Sequence, residues 1–276
     1  MRVATLEREM DELQPMSGFV DIHAHLLPGI DDGPGDLQEA LEMARAAVDA
    51  GTETIAVTPH VRPEYFPDVH VEELADRCES LRQELVRAQI PLQIMAGAEV
   101  SLLWALSAPE DHLRLVTYNQ AGSDLLIETP GDGVVIGQLL SPLLELGLRV
   151  TLAHPERSRT FQRHPEQLQA LRDEGVLAQI NGDALLAPRH SAVRKCAEHL
   201  CAEGLVQVIA SDGHRARSWR PMSSLAAGVE VAAQLVGAAR ARWMASEAPA
   251  AIVNGLPLPP APEIESHARG WWRGRR

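Results

Sequence analysis

Two histidines, His23 and His25, follow an apolar run of Phe19, Val20 and Ile22, and seven residues after the second comes Asp32 in an acidic, glycine-flanked turn. Residues two apart on a strand point to the same face, so both imidazoles leave the strand end on one side. Two nitrogen donors and a carboxylate placed this way suit a divalent cation. Side chains of the same kinds recur along the chain at the ends of short apolar runs. They are His60 in AVTPH, Glu99 in AGAEV, Glu128 in LLIETP, His154 in TLAHPER, and Asp212 with His214 in IASDGH. Asn181 ends a similar run in AQING.

The elements that must position them alternate. Strand-like runs cover 19–22, 54–58, 92–96, 125–128, 149–153, 177–180 and 207–210. Amphipathic, helix-like stretches cover 36–50, 71–88, 134–146, 165–174, 189–203 and 223–239. Gly51, Gly147, Gly175 and Gly204 follow four of these where a helix ends on a left-handed residue. Strand and helix in strict alternation imply parallel strands with right-handed crossovers, and seven strands suit a closed or nearly closed α/β barrel. Active sites of such barrels lie where strands end, and five of the 11 histidines fall there.

Composition narrows the function. The net charge of −13 argues against a general nucleic-acid binder, which needs a basic surface. It permits an anionic substrate if bound cations line the pocket. Cys78, Cys196 and Cys201 form no C-x-x-C pair and read as small buried side chains. No apolar run approaches a membrane span, and the N-terminus lacks the apolar middle of a signal peptide, so the reading is a soluble, cytoplasmic protein without membrane insertion. A homo-oligomer is compatible with the sequence. The chain divides into an N-terminal extension (1–18), a single barrel domain (19–257) and a Pro-rich, basic, flexible tail (258–276) ending in WWRGRR. His70, His112, His164, His190, His199 and His267 read as solvated side chains.

DIHAHLLPGIDDGP (21–34), VTPH (57–60), GAEV (97–100), AHPER (153–157), QING (179–182), ASDGH (210–214) and the Arg220–Pro221 pair occur in one order across the chain. This set resembles the polymerase and histidinol phosphatase (PHP) superfamily. Within it, the set is most similar to the metal-dependent bacterial tyrosine-protein phosphatases of capsule and exopolysaccharide loci, the CpsB/CapC/YwqE type. HxH alone is weak, because amidohydrolases share it; the ordered set is specific.

The resemblance implies a distorted (β/α)7 TIM-like barrel of the PHP fold. It implies up to three divalent metals, expected to be Mn2+, with Fe, Zn or Mg also compatible with nitrogen and oxygen donors. The first position would use His23, His25, Glu99 and Asp212. Glu99 would bridge to a second, shared with Glu128 and His154. The third would use Asp32, His60 and His214. Four carboxylates against three dications leave net positive charge, which suits a phosphate dianion. The implied reaction is metal-assisted hydrolysis of phosphotyrosine by activated water, with no cysteine nucleophile. Arg157 and Arg220 would clamp the phosphate through planar guanidinium forks, and His214 is also a candidate to protonate the leaving group. Arg62 is a weaker candidate for rim contact. The expected substrate is the autophosphorylated tail of a bacterial tyrosine kinase.

Some residues stay open. Asp31 reads as a turn residue or an acceptor behind the ligands, Asp21 as either a group that orients a ligand histidine or a plain strand-end acid, and Asn181 as a turn residue or a site hydrogen-bonder. Ser158 stands where the family usually has an aromatic, and Tyr65 and Phe66 are candidates to flank a substrate ring. Alternative functions are a histidinol-phosphatase-like small-molecule phosphatase and a non-catalytic scaffold that binds a kinase tail. A deaminase-type amidohydrolase is more remote, because its ligands usually follow another order.

Overall fold

Along the strands, apolar residues fall into two sets that alternate with a period of two. Ile55 and Val57 oppose Ala56, Leu125 and Ile127 oppose Leu126, and Ile209 opposes Val208 and Ala210. The first set packs under the helices in the larger core cluster. The second joins Val20, Ile22, Tyr118 and Ala153 in a smaller cluster inside the barrel. This is the pattern of a sheet buried on both faces. The computed structural model describes residues 18–131 and 136–265.

The strands are β1 (Phe19–Ala24), β2 (Thr52–Val57), β3 (His60–Val61), β4 (Gln93–Ala96), β5 (Glu99–Ser101), β6 (Asp124–Glu128), β7 (Arg149–Ala153), β8 (Leu177–Asn181) and β9 (Val208–Ala210). All their pairings are parallel, in two sheets ordered β1-β2-β4 and β3-β5-β6-β7-β8-β9. Among the described residues nine strands stand where seven were expected, because two of the expected strands are each followed, after a break, by a short second one. Pro59, which has no N–H to donate, interrupts β2 and β3, and Gly97–Ala98 separates β4 from β5. Hydrogen bonding continues across both breaks, from Gly97 N–H to Val57 O (3.0 Å) and from Glu99 N–H to Pro59 O (3.1 Å). Each pair is one kinked stave, so the barrel has seven staves.

Closure is uneven. At the mouth, β1 meets the end of β9 through the Ala24–Gly213 bridge, His25 N–H to Gly213 O (2.9 Å) and Asp212 N–H to His23 O (2.8 Å). Lower down, Val20 N–H and Ile209 N–H bond instead to Ala245 O (2.8 Å) and Met244 O (2.9 Å). The barrel is therefore distorted, drawn shut only where the ligand-type residues lie.

The expected helices are present, with Asp36 capping Leu37–Asp49 through the N–H of Glu39 (2.9 Å). The expected start of the helix near Val134 lies outside the described residues, which resume with Ile136–Glu145. Short helices at Leu102–Ser107, Glu110–Leu115, Gly182–Leu186, Ala238–Trp243 and Glu247–Val253 were not expected, since one or two turns leave too few residues for a periodic signal. Gly51 and Gly175 adopt φ of +89° and +93°, as their place after a helix required.

The Pro-rich stretch read as a flexible tail is laid along the body as far as Glu265. Leu258 and Ile264 pack on the core, Pro262 O accepts from Arg240 Nη1 (3.3 Å), and Glu265 N–H reaches Val236 O (3.3 Å). The physical reason is apolar content: Leu and Ile among the prolines gain more by burial than the chain loses by ordering. Trp271, Trp272, the basic end and the N-terminal extension up to Ser17 lie outside the described residues. No described helix is long and apolar enough to cross a membrane.

Candidate metal centre

The inward face of each stave changes character from bottom to top. Leu126 is followed two residues on by Glu128, Leu177 by Gln179 and Asn181, and Ala210 by Asp212. The apolar lower residues fill the barrel, and the polar upper ones enter its mouth. On β1 the pairing register shifts between Asp21 and Ala24, so His23 and His25 converge through a bend rather than a regular pleat.

Four donor atoms meet there. His23 Nε2 lies 3.2 Å from Glu99 Oε2 and 3.5 Å from Asp212 Oδ1. His25 Nε2 lies 3.4 and 3.6 Å from the same two oxygens. All four residues are fully buried. His23 Nε2, His25 Nε2, His60 Nδ1 and Glu99 Oε2 have no hydrogen-bond partner. Buried donors and acceptors are rarely left unmatched. Their mutual aim fits a cation held among them, which is the arrangement the donor chemistry requires.

Among the described residues, three groups of donors have ligand atoms within 4.8 Å of one another: His23, His25 and Glu99; His23, His154 and Asp212; and His25, Asp32, His60 and His214. The third expected set is brought together, with His25 joining it. Asp32 Oδ1 stands 3.1 Å from His214 Nε2, 3.6 Å from His60 Nε2 and 3.9 Å from His25 Nδ1. In the second expected set, His154 Nε2 is 2.8 Å from Glu99 Oε1. Glu128 stays outside the donor groups, with Arg62 Nη1 3.1 and 3.2 Å from its two oxygens. Arg62 is thus an ion-pair partner of an expected ligand, a role the sequence did not suggest. None of His70, His112, His164, His190 and His199 falls in a donor group among the described residues, and His267 lies outside them.

Hydrogen bonds at the other ring nitrogen set each tautomer. His25 Nδ1–H donates to Asp31 Oδ2 (2.7 Å), leaving Nε2 free. Asp31 also accepts from the backbone N–H of Gly33 and His60, so it orients a candidate ligand from behind. His214 Nδ1–H donates to the Asp212 carbonyl (2.8 Å), which leaves Nε2 as an acceptor facing Asp32. That geometry favours His214 as a ligand over a proton donor to the leaving group. Asp21 bonds to no imidazole; its Oδ1 accepts from His23 N–H (3.3 Å) and Ser211 N–H (3.0 Å), tying β1 to the end of β9. Burial raises its carboxyl to about 6.

A chain of buried amides was missed from sequence. His23 Nδ1–H donates to Gln179 Oε1 (2.9 Å), Gln179 Nε2 to Asn181 Oδ1 (2.8 Å), and Asn181 Nδ2 to Asp212 Oδ2 (2.5 Å). It couples two candidate ligands through residues on β8. The one available signal was QING, two polar side chains at spacing two on a strand, and it singled out only Asn181. Gln179→Leu is expected to lower metal affinity about 10- to 100-fold while the fold persists, as loss of a ligand's outer partner typically does. Calorimetric titration with Mn2+, with circular dichroism as control, checks it; unchanged affinity refutes the positioning role.

Arg220 Nη1 contacts both oxygens of Asp212 (3.0 and 2.9 Å) at the mouth. Arg157 Nη2 is held by Asp183 (2.9 and 3.0 Å). His154, Asp212 and Arg220 all adopt left-handed backbone, with φ of +40°, +51° and +47°. Such strain in non-glycine residues persists only where surrounding contacts over-determine it, and it clusters at functional sites.

Burial opposes charge throughout the centre. At Glu99 the imidazoles of His23, His60 and His154 overcome it and hold the carboxyl well below its usual range. Asp212 is held far down in the same way, against burial, by His23, His25, His154 and Arg220. At Glu128 burial and the charge of Glu99 prevail over Arg62 and raise the carboxyl. Burial drives His60 down to about 4, and burial with His25 also lowers His214. His25 and His154 go the other way: Asp31 for the first and Glu99 for the second outweigh burial and raise both. The three cysteines are buried, and burial pushes Cys78 up to about 11 and Cys196 and Cys201 up to about 12, so none supplies a thiolate nucleophile.

Burial keeps His60 neutral at pH 7, whereas the carboxylates beside His25 and His154 favour the protonated rings, so an incoming cation competes with protons there. Metal uptake is expected to release protons, and affinity to fall as pH falls. Calorimetry in buffers of different ionisation enthalpy measures the release; none at pH 7 refutes this account.

A parallel α/β barrel with converging imidazoles and carboxylates at the C-terminal ends of its strands defines a barrel with a candidate multinuclear metal centre. The family model for capsular polysaccharide synthesis, CpsB/CapC, matches residues 19–254, and the chain belongs to that family. It is 32% identical to the tyrosine-protein phosphatase YwqE of Bacillus subtilis over 204 residues, 72% of this chain and 79% of that protein. It is 27% identical to the tyrosine-protein phosphatase CpsB of Streptococcus pneumoniae over 245 residues, 85% of this chain and 98% of that one. It superposes with a TM-score of 0.77 and 26% identity on a chain from the crystal structures of YwqE and CpsB, which are described as unique metal-dependent tyrosine phosphatases; 89% of this chain and 99% of that chain are covered. An amidohydrolase from Mycoplasma synoviae, at 11% identity and a TM-score of 0.55, shares the fold, with 93% of this chain and 94% of that chain covered.

Proposed function

We propose that this chain is a cytoplasmic, metal-dependent protein-tyrosine phosphatase of capsular or exopolysaccharide synthesis, acting with manganese on the phosphorylated tail of a bacterial tyrosine kinase. The observation that carries the reading is the cage of unpartnered buried donors from His23, His25, His60 and Glu99, with Asp212 and the Arg220 guanidinium beside it. His23, His25, Glu99 and Asp212 would hold one cation; Asp32, His60, His214 and His25 surround a second position; His154, with Glu128 once released from Arg62, would complete a third. Cations bound there supply Lewis-acid polarisation of the phosphoryl oxygens and an activated water.

The protein's own residues do the rest. Asp31, Gln179 and the Asp212 carbonyl each engage one ring nitrogen of His25, His23 and His214 and so turn the other toward the centre. Arg220, paired with Asp212, would fork onto phosphoryl oxygens, and Arg157 would add a second guanidinium on leaving Asp183. Phosphate-ester hydrolysis adds water across the P–O bond and releases tyrosine and inorganic phosphate. Tyrosine is a fair leaving group, so a dedicated acid is less necessary.

Purified protein loaded with Mn2+ is expected to release phosphate from a phosphotyrosine peptide, to lose that activity on chelation and to regain it on metal return. A fully metallated protein with no turnover overturns the reading. A parallel assay on histidinol phosphate distinguishes the small-molecule alternative, which requires preference for that substrate.

A further inference from the structure

Two exposed aromatic side chains stand at the mouth, and each carries a guanidinium that also reaches a carboxylate of the centre. Arg62 lies 4.2 Å over the ring of Tyr65 and pairs with Glu128. Arg220 lies 4.8 Å over the ring of Trp219 and pairs with Asp212. Phe66, a candidate from sequence to flank a substrate ring, is otherwise engaged: it stacks on His60 at 5.1 Å and 3°. Trp219 was not suggested by sequence. It is 53% exposed, yet its ring centroid is only 4.6 Å from that of His214.

The loop that carries Trp219 is pinned at both ends. His214 N–H donates to Arg220 O (2.9 Å), Met222 N–H to Arg215 O (3.2 Å), and Arg215 bridges to Pro221. Arg215 Nη1 is further tied to the carbonyls of Asp32 (3.0 Å) and Gly33 (2.7 Å). An indole held on so constrained a loop, half in solvent and against a candidate ligand, is a preorganised flat wall. Phosphate drawn to the centre and to Arg220 would leave an aryl group beside that wall. Aromatic pairs gain from offset or edge contact beyond the area they bury. A serine phosphate is shorter by the length of a ring and brings no π-face.

Resting on the phosphatase reading above, we propose that Trp219 is a specificity-determining residue, selecting aryl over alkyl phosphomonoesters by packing on the ring of bound phosphotyrosine. The test uses one peptide sequence in four forms: phosphotyrosine, phosphoserine and the non-hydrolysable phosphonate analogue of each. Trp219→Ala and Trp219→Phe are compared with the unaltered protein, all with metal content measured. Trp219→Ala is expected to raise KM for the phosphotyrosine peptide, and Kd for its phosphonate, about two- to tenfold. Metal content and the phosphoserine forms are unaffected, and Trp219→Phe recovers most of the loss. Equal loss on both peptide classes, or loss that follows metal content, overturns the proposal. If the unaltered protein turns over neither peptide, the phosphatase reading falls. The phosphonate titrations still decide the role of Trp219: aryl-selective binding that Trp219→Ala weakens supports it, and binding indifferent to the substitution refutes it.

Discussion

Asp212→Asn is expected to leave a folded protein that holds less metal and hydrolyses phosphotyrosine about 10²- to 10³-fold more slowly, a loss in the range set by removing a principal electrostatic element from a buried site. The substitution preserves shape and removes one negative charge. That charge faces His23 Nε2 and His25 Nε2 at 3.5 and 3.6 Å, accepts from Asn181, and anchors Arg220. Its low pKa records how strongly the surrounding imidazoles and guanidinium favour the anion over the cost of burial. An amide in its place must turn an N–H toward a donor-rich centre, so the penalty reaches the cation, Arg220 and the amide chain together. His23→Ala should act in parallel, because Nε2 of His23 faces both Glu99 and Asp212. Metal per chain, circular dichroism and phosphate release measured on one preparation check the result. Full metal content with full activity in either variant would remove the centre from the mechanism.

The second large effect is expected at Arg220. Arg220→Lys keeps the positive charge but loses the planar fork, and kcat/KM should fall about 10²-fold with metal content unchanged. The charge-only variant separates two roles of the guanidinium. If Arg220 serves only to neutralise Asp212, lysine suffices and activity stays within a few-fold. If it forks onto the phosphoryl oxygens, a point charge on a flexible stem cannot replace it. Arg220→Ala is a harsher test, since it leaves Asp212 buried beside one cation fewer and is expected to disturb metal binding as well.

The architecture was largely legible along the chain because its signals are local. Parallel strands buried on both faces read as apolar runs, glycines follow the helices, and ligand-type side chains recur at the ends of the runs. The breaks at Pro59 and Gly97 were not legible as extra strands, since His60–Val61 and Glu99–Ser101 are too short to carry a period. Proline content masks the apolar anchors of the packed stretch near Ile264, so its sequence suggests a loose tail.

Residue types and their order along the chain, by themselves, determined the class of chemistry: imidazole and carboxylate donors, no thiolate, cationic partners for an anionic substrate. They follow from covalent facts that need no folding. Only closure of the barrel decided which nitrogen of each histidine is free, that Gln179 lies behind His23 although 156 residues separate them, that Glu128 faces Arg62, and that Trp219 stands against His214. These are contacts between different staves and loops, so they depend on strand register, on the bend in β1 and on strained turns held from several sides at once. A local pattern places a side chain on a face; the partner it meets there is chosen by the neighbouring strand.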